Sequence, residues 1–311
     1  MKITSIKAIS LTCMMFLMVH AATSQTTVLE SVKRDTSSDR SKTWKRSGFV
    51  GLNFTQVNLS NWAAGGSNSI SGLVMFKYAA NYKDAKNSWD NLFDLGYGIS
   101  QEGDERAIKS EDKIDISSKY GRFAFKNWYY SALAGFRSQF AKGYNYPNDS
   151  VVISRFLAPG YVTVALGMDY RPSESLTLLA SPLAGRMIIV QDDTLAAVGA
   201  FGVDKGENIK FEMGAMLRLL FKKDIIENVT LNNKLELYTD YMGVVDHIDV
   251  NWEVMLNLKV NEYISANLST HLIYDDDTMI GIDSNDDGQI DSFGPRTQFK
   301  EVIGIGLSYK F

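Results

Sequence analysis

Cysteine is almost missing: the single one, Cys13, lies inside an N-terminal apolar run. The rest of the chain therefore has no disulfide framework, no thiol nucleophile and no cysteine-based metal site. A lipid anchor would need that cysteine at a cleavage site, and it is not at one. Proline is scarce, five residues in 311, which suits long uninterrupted strands. Positive charge is not in excess; the net charge is −4, and no nucleic-acid footprint results. The apolar run Ala8 to Val19 is only about twelve residues, where a membrane-spanning helix needs ~20. No G-x-S-x-G elbow or H-E-x-x-H pair is present, and beyond the N-terminal run only His247 and His271 remain. The expectation is a protein that is not an enzyme.

What the chain does have begins with an export signal. Lys2 and Lys7 precede the apolar run, and Ala22-Thr23-Ser24 offers small residues for cleavage. Residues 1–24 are read as a signal peptide. Residues 25–43, rich in Ser, Thr and charge, are read as a disordered periplasmic leader. Residues 44–311 remain for the fold.

From Gly48 onward apolar and polar residues alternate. Between Ile248 and Val260 the even-numbered residues are apolar, while Asp249, Asn251, Glu253, Met255, Asn257 and Lys259 form the other face. Successive side chains of a strand point to opposite faces, so this is a strand with one greasy and one polar side. About twelve segments behave in this way, at 48–60, 68–83, 88–100, 111–121, 126–141, 160–171, 175–189, 208–221, 229–242, 248–260, 263–275 and 298–311. Alternation slips near Gln56, and Pro182 implies a bulge or an early strand end.

The connections measure about 7, 4, 10, 4, 18, 3, 18, 7, 5, 2 and 22 residues, generally long at odd and short at even places, with one inversion. Outer-membrane barrels sort their loops in this way, with short turns in the periplasm and long loops outside. Aromatics gather near segment ends: Trp89, Trp128, Tyr130, Phe140, Tyr170, Tyr241 and Tyr274. The tail Ile303, Ile305, Leu307, Tyr309, Phe311 resembles the C-terminal signal that outer-membrane barrels present to their assembly machinery. The fold expected is all-β, a transmembrane antiparallel up-and-down β-barrel of about twelve strands. Its expected place is the outer membrane of a Gram-negative bacterium, in contact with membrane lipid and with both termini periplasmic.

Residues Gly48 to Ser60, followed by Asn61-Trp62-Ala63-Ala64-Gly65-Gly66 and then by Asn81-Tyr82-Lys83 and Trp89-Asp90-Asn91, resemble a known family. It comprises exported proteins from Bacteroidota catalogued only as a domain of unknown function. The resemblance covers roughly residues 44–130. It implies an outer-membrane location and supplies no activity and no site residue.

Two constellations remain. Asp283-Ser284-Asn285-Asp286-Asp287-Gly288-Gln289-Ile290-Asp291 matches the start of a calcium loop. Asp283, Asn285, Asp287, Gln289 and Asp291 would be the Ca²⁺ ligands. Gly294 stands where a full EF-hand loop has its bidentate Glu, so the motif resembles the shorter acidic loops of extracellular proteins. The second is the inward face, which carries Lys113, Asp115, Arg137, Lys234, Glu236, Asp240, Asp249, Glu253 and Lys259, with Lys119, Asp169, Lys210, Glu212 and Arg218. These charges line a hydrated small-solute pore or transporter, or else they plug the interior of a structural or adhesive barrel. A lipid hydrolase, with His271 as base, is the third reading. The solute is not legible.

Overall fold

The computed structural model describes residues 43–58, 67–146, 148–173, 175–243, 247–261, 263–282 and 291–310. Expectations for the signal peptide, the leader before Thr43, the 61–66 segment, residues 283–290 and Phe311 fall outside these residues.

Twelve antiparallel strands close into a barrel. They are β1 (Thr43–Val57), β2 (Ser69–Lys83), β3 (Asn87–Glu102), β4 (Ile108–Phe125), β5 (Trp128–Ser138), β8 (Gly160–Tyr170), β9 (Leu176–Ile189), β10 (Ile209–Ile226), β11 (Val229–Asp240), β12 (Asp249–Lys259), β13 (Ile264–Tyr274) and β16 (Gln298–Lys310). Each pairs with its neighbours in sequence order, and β1 pairs with β16 to close the ring. Two hairpins stand outside the ring: β6 (Gly143–Asn145) with β7 (Asn148–Ser154), and β14 (Met279–Ile282) with β15 (Ser292–Pro295). No helix among the described residues is long and apolar enough to cross a membrane, which leaves crossing by strands open.

Every odd connection is longer than the even ones on either side of it. The odd connections are 58–68, 103–107, 139–159, 190–208, 241–248 and 275–297; the even ones are 84–86, 126–127, 171–175, 227–228 and 260–263. The inversion expected from the sequence vanishes because β10 continues to Ile226 and turns directly into β11. Alternation had faded at Lys222-Lys223-Asp224, and the strand looked finished there. Outside lipid, however, a ladder needs no apolar face, only backbone partners. Similarly, β1 starts at Thr43, since residues 43–47 pair with Ala79–Lys83 without alternating.

The polarity is inverted relative to a soluble protein. Val50, Leu52, Phe54, Val74, Phe76, Val164, Phe211, Ile303, Ile305 and Leu307 are exposed on the outer wall, while Lys77, Asp94, Asp115, Lys119, Asp169, Glu212, Lys234, Glu236 and Glu253 are buried inside. So large a continuous apolar exterior is incompatible with water. At the short-turn end Trp44 packs on Tyr82 and Trp89, and Trp128 packs on Phe125 and Tyr170, giving an aromatic belt. Trp89 Nε1 donates to Ser118 Oγ at 2.8 Å and Tyr120 OH to Asn87 Oδ1 at 2.7 Å. Rings with an apolar body and a satisfied polar tip suit a lipid–water boundary.

Pro182 makes the bulge expected of it. Ser181 and Ala184 both point inward, and the register shifts against both β8 and β10. Ser181 Oγ closes the distortion by donating toward the Leu166 and Leu183 carbonyls at 2.8 and 2.9 Å. Opposite it, Gly167 is required, because a Cβ there would collide with the Ala180 carbonyl.

The turn between β2 and β3 depends on Asp84. Its Oδ1 accepts from the Lys86 and Asn87 backbone N–H groups at 2.7 and 2.6 Å, and Oδ2 accepts from Tyr82 OH at 3.0 Å. These bonds, that from Lys86 foremost, hold the carboxyl well below the usual carboxylate range. A depressed folded-state pKa gives stability that is present above the unfolded value, about 3.9 for Asp, and is lost as pH falls below it. Hydrogen exchange at Lys86 and Asn87 should therefore report easier turn opening below about pH 4. Asp84→Asn should remove that pH dependence; its persistence would rule out the carboxylate as the cause.

Candidate functional site

The barrel interior is crossed by ion pairs. Lys113 on β4 lies 3.0 Å from Asp94 on β3 and 3.5 Å from Glu253 on β12. Lys234 on β11 lies 3.2 Å from Asp115, 3.4 Å from Glu253 and 3.8 Å from Glu236. Arg137 on β5 pairs with Glu236 on β11, which also holds Arg218 at 3.1 Å. Lys77 adds a 3.0 Å bridge to Asp94. Strands β4 and β11 are nearly opposite in the ring, so these contacts form a layer across the lumen rather than along its wall. Each charge has an opposite partner, which is the condition for burying it at all.

Above the layer, toward the long loops, lies a chamber of about 580 Å³. Its walls carry the carboxylates Glu111, Asp112, Asp115, Glu236, Asp249, Glu253 and Asp275 against the bases Lys113, Arg137, Arg186 and Lys300. Arg186 bridges Glu212 and Asp249 at 2.5 and 2.6 Å, with its guanidinium 4.3 Å over the Tyr238 ring. Below the layer is a second space of about 90 Å³, and Asp115 borders both. Nearer the short turns, Asp169 is fully buried between Lys119 and Arg171, each at 2.6 Å; Arg171 also reaches Asp90 at 3.2 Å.

The long-loop end is partly roofed. Segments 139–159 and 190–208 share an apolar core of Ala158, Val190, Leu195, Ala196 and Val203 over Ile188. Helix α1 (Asp193–Ala197) is capped by Asp192, whose Oδ1 accepts from Thr194 and Leu195 N–H at 3.1 and 3.2 Å. The same carboxylate is 3.1 Å from Arg155, which ties the two segments together.

Of the lumen charges read from the sequence, Lys113, Asp115, Arg137, Lys234, Glu236 and Glu253 converge in the layer, and Asp249 stands at the chamber mouth. Asp240 and Lys259 do not join them. Both fall at strand ends: Asp240 accepts from the Met213 and Met242 N–H groups at 3.3 and 3.0 Å, and Lys259 is exposed beside the short turns. Alternation gives the face of a residue but not its height in the barrel. Arg186 was missed because the Pro182 bulge switches the inward phase from odd to even residues. Arg171 was missed although alternation puts it on the same face as Asp169, because it stands at the very end of the segment, one residue past β8. His271 faces the chamber, with Nε2 3.0 Å from Asn251 Oδ1. Of the calcium-loop residues only Asp291 is described; its N–H donates to the Ile282 carbonyl at 2.8 Å, and the other four lie outside the described residues.

Residues 54–144 match the family model described as Protein of unknown function (DUF3078). The match overlaps the segment whose resemblance to an uncharacterised family was read from its residues. The DUF3078 segment runs from the upper part of β1 into β6 and contains Lys77, Asp94, Lys113, Asp115 and Arg137, one side of the cross-lumen layer. Lys234, Glu236 and Glu253, on the other side, lie outside it. No curated protein matches the chain in sequence. Solved structures similar to it are outer-membrane barrels. They include the translocator domain of autotransporter NalP from Neisseria meningitidis, at 10% identity over 88% of this chain and 90% of that one, TM-score 0.37. The COG4313 outer membrane channel from Pseudomonas putida F1 is 12% identical over 89% and 100%, TM-score 0.40. OmpF from Salmonella typhi is 10% identical over 86% and 97%, TM-score 0.28. The barrel itself rests on the chain's own strand pairing.

Proposed function

We propose that this chain is an outer-membrane β-barrel that serves as a small-solute pore closed at rest, with its short turns and both chain termini on the periplasmic side. The apolar outer wall supports membrane insertion, because a closed strand ring satisfies its backbone without water. The observation that carries the closed state is the pairing of Lys113, Arg137 and Lys234 with carboxylates across the lumen. A solute entering from the loops reaches the chamber, and the layer bars further passage until pairs exchange. With seven carboxylates against four basic groups on its walls, the chamber favours cations.

In planar bilayers the refolded wild type should hold the baseline at low voltage, with infrequent small steps. Its reversal potential in a salt gradient should report cation preference. A steadily open, porin-sized conductance would contradict the closed reading, and an anion-selective reversal potential would contradict the charge argument. A structural barrel permanently plugged by the same layer is the second reading. It predicts that the wild type stays silent at every voltage, without even infrequent steps.

A further inference from the structure

Lys86, Arg122 and Lys126 stand apart from the bases of the lumen. There Lys77, Lys113, Lys119 and Lys234 each meet a carboxylate. These three are exposed, and among the described residues their side chains have neither an ion-pair nor a hydrogen-bond partner. They also come together at one place. Arg122 on β4 is the register partner of Asn87 on β3 and of Tyr130 on β5. Lys86 closes the β2–β3 turn just before Asn87, and its carbonyl accepts from the Phe123 N–H at 2.6 Å. Lys126 begins the turn from β4 to β5.

Their height decides what they meet. Arg122 follows Tyr120 on the outer face, and Tyr120 is the register partner of Trp89 in the aromatic belt. Two residues of strand carry Arg122 ~7 Å further toward the turns. A girdle of Trp and Tyr marks the edge of the hydrocarbon, so the three bases fall at headgroup depth. Tyr120 and Tyr130, 45% and 61% exposed, flank Arg122 with apolar ring surface. The β2–β3 turn has one carboxylate, Asp84, whose oxygens are taken up by Tyr82 OH, the Lys86 and Asn87 N–H groups and the Asn87 amide. The cluster therefore keeps a net positive charge. The long connections, by contrast, hold fifteen acidic residues against five basic ones, and that end offers an anion no comparable attraction.

We propose that Lys86, Arg122 and Lys126 form a headgroup site for an anionic phospholipid in the leaflet at the short-turn end. The Arg122 fork suits two oxygens of one phosphate, the two lysines add charge, and the acyl chains lie against Tyr120, Tyr130 and the wall above them. This rests on the reading of a membrane-embedded barrel but needs no conduction.

Refolded full-length protein in nanodiscs with equal amounts of phosphatidylglycerol and phosphatidylcholine tests it, the lipids that stay bound on release being counted by mass spectrometry. The wild type should retain phosphatidylglycerol in excess, and added salt should weaken that preference, as for any exposed charges. Lys86→Gln, Arg122→Gln and Lys126→Gln should each lower the ratio by roughly fivefold or less, and together should bring it near unity. Lys223→Gln, at an exposed base on β10 near the same end, should leave it unchanged. Equal retention of the two lipids by the wild type, or a preference that survives the triple variant, would overturn the site. So would an equal loss in Lys223→Gln, which would reduce the effect to general surface charge. Wild-type protein that shows no heat-modifiable gel band would instead overturn the membrane barrel itself, so the two failures are distinguishable.

Discussion

Replacing Lys234 with Met is expected to lower the unfolding free energy of the refolded barrel by about 3–5 kcal/mol, the cost of breaking a buried ion pair from one side. Lys234 has three carboxylates within 4 Å on two opposite parts of the wall, Asp115 on β4 and the Glu236 and Glu253 pair on β11 and β12. Its removal leaves those charges facing one another with only Lys113, Arg137 and Arg218 to share. Pairing it with Asp115→Asn should recover part of the loss, because the unpaired charge goes with its partner. The same substitution should turn infrequent current steps into frequent cation-selective ones. Urea unfolding in micelles and bilayer recording measure the two effects separately. A stability change under about 1 kcal/mol would place Lys234 in the class of solvated surface pairs and remove the argument for a barrier.

The second large effect is expected at Asp169. This carboxylate is fully buried, with Lys119 and Arg171 both 2.6 Å away. Asp169→Asn keeps the shape but leaves two cations in a dry site, again a loss of about 3–5 kcal/mol. Asp90→Asn should cost clearly less, because Arg171 retains Asp169 and its place 4.9 Å over the Tyr129 ring. The ranking of the two variants is the test, read from urea midpoints. If Asp90→Asn proves the more damaging, Arg171 rather than Asp169 is the centre of the cluster. Asp169 joins β8 to β4 and, through Arg171, to β3, so its loss should loosen the short-turn end while leaving the chamber and its selectivity intact.

Much of this architecture was legible in the residues because a half-lipid, half-lumen strand must alternate. The inward placement of Glu253 and Lys234 follows from that rule alone. Height and partnership do not. Lys113 meets Glu253 across a ring whose shear depends on every seam between them, and one strand read at a time carries no information about the opposite wall. Asp240 and Lys259 show the same limit from the other side, having the right face at the wrong level. Arg186 shows how one proline shifts the phase for all residues after it. The short ladder that closes the ring was not legible either, because Phe54 and Ile305 continue a regular alternation, while the β1–β16 register among the described residues runs only from Phe49↔Lys310 to Asn53↔Gly306.

The roof over the long-loop end has one more consequence. Segments 139–159 and 190–208 already hold a shared apolar core, a capped helix and the Arg155–Asp192 bridge. Loops that must order around a guest reduce its affinity by the entropy they lose in doing so. Here part of that ordering is built into the fold, in the contacts these two segments make with each other. On the pore reading, a solute reaching Arg186 and Tyr238 would pass beneath two segments that already hold each other, and the entropy cost of its residence would be lower by what those contacts have fixed.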